Sequence, residues 1–280
     1  MSRFIEKRAA VHKNDSDPAK AGVARLYLAA SRQYRKIFGE ISLPASDKKI
    51  AQKAGAGEAL KRKIERANAR LMKSAEKLNR NPFNPEAITN FQQAFWQVPR
   101  GAEGFTFDIG VCNASSEKLA QPIIDVEGRE ISPFTVGIPA ELKGKTGLIA
   151  LGKMFPEINS YSVAENTPIE DESDHTGYLK VEGIDTPNLN TDDNQARAHF
   201  ASQGIFGQRL ITYLILSRQM KIIKGQYPDQ GSMWSRLLGS RRGGGVVDAN
   251  CLPVGGVSVS RSLSPQVRHA YLGARSEEVL

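Results

Sequence analysis

The sequence predicts an α+β fold: N-terminal helices followed by an antiparallel or mixed sheet packed on one long buried helix. Three observations predict it. The first hundred residues repeat apolar positions at helical spacing, whereas glycines and β-favouring runs take over after Pro99. The most apolar run of the chain lies within residues 194–224. Strand-like runs return after it, and the order helices, strands, buried helix, strands fits α+β.

Taken in order, residues 1–16 are polar and mixed in charge. Asp17 and Pro18 read as N-cap and first helical residue. A helix follows to residue 38, with Val23, Leu26, Tyr27, Ala30, Tyr34 and Ile37 on one stripe and Gly39 ending it. Residues 40–57 read as a connector. Residues 58–79 form the second helix, with Leu60, Ile64, Ala67, Leu71, Ala75 and Leu78 on a narrow seam. Such a seam suits one partner helix, within the chain or from another subunit. Asn81 and Pro82 break it, and a third helix spans 86–97 with Ile88, Phe91, Ala94, Phe95 and Trp96.

Strands are expected at 105–109, 122–126, 131–138, 146–151 and from Tyr178 to residue 182, with a turn at Glu127 and Gly128. The rest of 156–193 is loop-like. The central helix, 194–224, has Asp192, Asp193 and Asn194 as N-cap candidates and Lys221, Lys224, Gly225 and Pro228 as its stop signal. Gly204 and Gly207 mark a break near 203–207 or the close packing of another element. After it, Trp234, Leu237 and Leu238 form a short amphipathic turn, and 239–245 a flexible basic loop carrying Arg241 and Arg242. Val246, Val247 and 254–260 read as closing strands, 265–272 as a short helix and 276–280 as a frayed tail. The domain reading is a basic helical region, 1–98, and an α+β domain, 99–280, built around the helix 194–224.

The net charge of +8 is unevenly spread. Residues 1–80 carry 20 Lys/Arg against 8 Asp/Glu, and residues 157–193 carry 1 against 10. Either the two regions contact each other or each meets a partner of opposite sign. Two cysteines, Cys112 and Cys251, exclude a disulfide framework. Arg209, Arg218 and glutamines interrupt the apolar run, so no membrane span is expected. The first residues lack an apolar signal core, which points to a cytoplasmic or host-cytoplasmic location.

Catalytic signatures are weak. Cys112 follows an expected strand and has no His partner in sequence; a buried structural thiol is the competing reading. His175 is crowded by Glu170, Asp171, Glu172 and Asp174, a setting that raises an imidazole pKa and holds a cation loosely; a solvated acidic loop is the competing reading. No metal-ligand spacing and no cofactor motif occur, since 243–245 lacks the Lys and Ser/Thr of a phosphate-binding loop.

The leading expectation is therefore a non-enzymatic assembly, adaptor or structural protein acting inside a larger complex, such as a virus particle or secretion machine, through protein partners or self-association. The alternative is a nucleic-acid-binding protein using the basic N-terminal helices. Under either, the contact residues are Lys61, Arg62, Lys63, Arg66, Arg70, Lys73, Lys77, Arg80, Arg241 and Arg242. An enzyme using Cys112, His175 and Arg261 is the third reading.

Overall fold

Helix α1, Asp47–Arg80, opens the part of the chain that the computed structural model describes: residues 47–101, 104–159, 169–184, 186–231, 233–253, 255–261 and 264–280. It starts inside the expected connector, running through Gly55 and Gly57. The expected helix over 17–38 lies outside the described residues. The chain divides into two compact units, Met1–Arg62 and Lys63–Leu280. Among the described residues, the first contributes only the start of α1.

In the second unit, α1 buries Leu71, Ser74, Ala75 and Leu78. Helix α2, Pro85–Gln97, is capped by Asn84, whose side chain accepts from the Ala87 N–H, with Pro85 in the first turn. Its Phe91, Phe95 and Trp96 are fully buried. After α3, Ser116–Ala120, a small hairpin joins β1, Ile123–Ile124, to β2, Glu130–Ile131, across the turn at Gly128.

Two larger sheets follow. One has the order β3-β5-β11-β6, all antiparallel: β3, Pro133–Ile138; β5, Gly177–Glu182; β6, Phe206–Gly207; β11, Ser276–Val279. The other is mixed, with the order β10-β7-β8-β9: β7, Trp234–Arg242; β8, Gly245–Cys251; β9, Val257–Arg261; β10, Leu272–Ala274. Strand β10 pairs parallel with the start of β7, and β4, Ile169–Asp171, pairs antiparallel with its end. A register shift between Leu237 and Arg241 separates the two pairings. There the backbone of Gly239 instead donates to Gln208 and accepts from Glu172. A Cβ at Gly239 would collide with the Gly207 carbonyl, so the glycine is what permits the approach.

Helix α7, Leu210–Lys224, packs on β3 of one sheet and on β7 and β8 of the other. Every residue from Leu210 to Met220 is buried. Its N-terminus is closed from outside, by the Ser240 hydroxyl accepting from the Leu210 N–H, and Gly225 at φ 74° ends it. The single long helix expected over 194–224 is two helices. Helix α6, Asp193–Gln203, has the Asp192–Gln195 capping box and stops at Gly204, φ 69°. Strand β6 then separates it from α7. Both outcomes foreseen for Gly204 and Gly207 are realised, a break and a close packing.

Other expectations are corrected. Residues 105–109 form no ladder; Phe105 makes a single bridge with Arg100, and its ring stacks on Phe107 at 6.2 Å. Residues 146–151 lie in helix α4, Gly144–Met154, because Leu148, Leu151 and Met154 bury one helical face and Gly147 sits against the Leu142 backbone. Helix α5, Pro156–Asn159, follows it. Trp234, Leu237 and Leu238 belong to β7, as do Arg241 and Arg242, so the expected basic loop is a strand end and a tight turn at Gly243 and Gly244. Residues 265–271 form turns rather than a helix. The expected frayed tail is β11, flanked on both sides by strands.

Candidate interaction surface

In α1 the cations expected as contacts, Lys61, Arg62, Lys63, Arg66, Arg70, Lys73, Lys77 and Arg80, are all exposed. Lys61 and Arg62 fall in the first unit, the other six in the second. Burial of Leu71, Ala75 and Leu78 fixes which way the helix faces, so the charged positions point outward for the same reason the seam points in. Among the described residues Lys63, Arg66, Arg70, Lys73, Lys77 and Arg80 form no ion pair. Met72, 52% exposed, is the large apolar side chain on the outer surface of this helix.

The remaining charged groups behave differently. Arg241 meets Glu172 at 2.7 Å, and Arg197 holds the same carboxylate at 3.1 Å. Arg242 donates to the Val259 carbonyl at 3.4 Å. Neither belongs to a patch with α1 in the contacts they make. Deeper in, Arg209 meets Glu277 at 2.5 Å, Arg236 meets Asp193 at 2.8 Å, and Arg275 meets Asp229 at 2.9 Å. Lys180 meets Glu278 at 2.6 Å. Of the acids described between 169 and 193, Glu172, Asp192, Asp193, Asp171 and Glu182 bond within the fold, while Glu170 and Asp174 are exposed. Asp192 caps α6 and holds Arg268 at 2.5 Å, and the Glu182 carboxylate accepts from the Ser276 N–H and hydroxyl. Burial pushes the Glu182 carboxyl up, against the pull of Arg275 and Ser276. Burial also pushes Asp248 to about 6, partly offset by Arg236.

Among the described residues, Cys112 and His175 meet different partners. Cys112 is buried, its N–H donates to the Thr89 hydroxyl at 3.0 Å, and burial raises its thiol pKa. A raised thiol is a poor nucleophile at neutral pH. Cys251 is buried beside the Tyr213 hydroxyl at 3.6 Å and is pushed up to about 11, again by burial. His175 lies 5.0 Å from the Phe206 ring, and its carbonyl accepts from Arg209. Of the four acids around it, Asp171 meets Ser240 and Glu172 meets two arginines. No group of three or more His, Cys, Asp or Glu suited to a metal occurs among the described residues. Arg261 ends β9.

Among the described residues no helix is long and apolar enough to cross a membrane. The buried arginines escaped sequence reasoning because their partners lie far along the chain, 68 residues apart for Arg209 and Glu277. Comparison with protein-family models, curated proteins and solved structures finds no match to this chain.

Proposed function

We propose that the chain is a non-enzymatic assembly component of a larger complex, a particle or a secretion machine, joined through the seam of α1. The observation that carries this is the uneven cover of that seam. Ile64, Ala67, Leu71, Ser74 and Leu78 alternate at spacings of three and four, the pattern of a helix that meets another helix. Leu71, Ser74 and Leu78 are buried, whereas Ile64 and Ala67 are only half-buried. Completing the burial of an Ile side chain contributes up to about 1.5–3 kcal/mol. A helix of another subunit, most simply a second copy of this chain, supplies that cover.

Light scattering on the purified full chain over a concentration series tests it. The reading expects a mass that rises above 30.6 kDa with concentration. A mass fixed at that of the monomer throughout sets the reading aside.

A further inference from the structure

We propose that the exposed cations of α1 grip the phosphodiester backbone of a nucleic acid without reading its bases. This goes beyond the assembly reading and uses a different face of the helix. At 3.6 residues per turn and 1.5 Å per residue, Lys63, Arg66, Arg70, Lys73, Lys77 and Arg80 share an arc of about 100° and a length of about 26 Å. The centre of the seam lies about 120° further round. Glu65 and Glu76, the acids of this stretch, fall outside the arc. The result is a straight row of positive charge with one cation per about 5 Å of axis.

The row differs from the arginines elsewhere in the described fold in its pairing. Arg197, Arg209, Arg236, Arg241, Arg268 and Arg275 each hold a carboxylate of their own chain. The six cations of the row hold none. Of the acids described between 169 and 193, Asp171, Glu172, Glu182, Asp192 and Asp193 are buried or paired within the fold, which leaves two exposed acids, Glu170 and Asp174, against the six cations of the row. A linear row without an internal counter-charge matches a linear polyanion, whose binding gains from counterion release. Residues 60–80 contain no aromatic side chain, so base stacking is absent there and recognition is by charge alone.

The test is fluorescence anisotropy of the full chain with a labelled random-sequence DNA duplex and a labelled single-stranded RNA, in a salt series. Poly-glutamate serves as competitor. The proposal expects binding to at least one of the two, indifferent to sequence, with log affinity falling linearly with log salt. Changing Arg66, Arg70, Lys73 and Lys77 together to Gln should lower the duplex slope by up to about 0.9 per contact removed. The circular dichroism spectrum and thermal midpoint should stay as they are, since these side chains are exposed. Arg66→Lys with Arg70→Lys should keep the slope. Four results overturn the proposal: no binding at about 50 mM salt, an unchanged slope in the Gln variant, poly-glutamate competing as well as nucleic acid charge for charge, or unfolding of the Gln variant. Ile64→Asp separates this proposal from the assembly reading, because it should remove self-association and leave the salt slope intact.

Discussion

The Arg275 guanidinium and the Asp229 carboxylate meet at 2.9 Å with neither side chain exposed, at the residue where the chain passes from β10 in one sheet to β11 in the other. Ser235 donates to the same carboxylate, as does Thr186, and Arg275 also reaches the carbonyls of Glu182 and Gly183. Burial alone would lower the Arg275 pKa, and the charge and hydrogen bond of Asp229, together with Glu182 and Tyr213, more than offset it. The pair ties the loop before β7, the strand β7 and the end of β5 to one point.

Removing one partner leaves the other as an uncompensated buried charge, a change that costs about 3–5 kcal/mol. Arg275→Met is expected to lower the urea midpoint accordingly or to prevent folding. Arg275→Met combined with Asp229→Leu should cost less than the two single changes added together. An Arg275→Met chain that denatures at the original midpoint contradicts the account.

Asp171 supplies a pH test. Burial pushes its carboxyl up to about 6, Ser240 and Arg209 pull it back, and Glu277 and Asp174 add to the rise. One of its oxygens, Oδ2, is buried without a hydrogen-bond partner among the described residues. The native state therefore holds the proton over the window between about 4 and 6 in which the unfolded chain has already lost it. Stability falls as pH rises through that window and stays lower above it. Asp171→Asn, which can still accept from Ser240, should be more stable than the unmodified chain at pH 8 by about 1–2 kcal/mol. The gain should vanish near pH 4, and thermal melts at the two pH values decide. A variant less stable at pH 8 counts against the assignment.

Gln92 tests how the open edge of β3 is closed. Its Nε2 donates to the Thr135 carbonyl at 2.9 Å, and it exchanges side-chain hydrogen bonds with Gln219 at 2.9 and 2.7 Å. Trp96 closes the next carbonyl on that edge, Gly137, at 2.9 Å. An edge strand capped by side chains cannot template another strand. Gln92→Leu orphans the Thr135 carbonyl and the Gln219 amide, both buried, for about 1–3 kcal/mol. Adding Gln219→Leu should recover part of that loss in chemical denaturation. A double variant no better than Gln92→Leu alone rules out the shared network.

The fold class, the α1 seam, α2 and the β1–β2 turn were legible because each rests on local periodicity or turn chemistry. Elements whose burial depends on distant partners were not. Strand β11 reads as a frayed acidic tail because Glu277 and Glu278 look solvated, yet Arg209 and Lys180, which pair with them, come from other elements. Helix α4 reads as a strand because Leu148, Ile149 and Leu151 sit close enough together to mimic one, while the helical face becomes visible only once Gly147 meets Leu142. The cations of α1 were legible one by one. Their lack of ion pairs was not, since it emerges only once Asp171, Glu172, Glu182, Asp192 and Asp193 are seen to bond elsewhere in the fold.

Ile64 and Leu71 lie two turns apart on one seam, one half-buried and the other 4% exposed. Asp at Leu71 should unfold the second unit, because the charge enters a core with no partner for it. Asp at Ile64 should leave the fold standing and abolish the helix contact between subunits. The mass of the Ile64→Asp chain by light scattering, beside that of the unmodified chain at equal concentration, tests assembly through α1 most directly. The account predicts a folded variant at 30.6 kDa and an unmodified chain above it. Equal masses for two folded chains would contradict it.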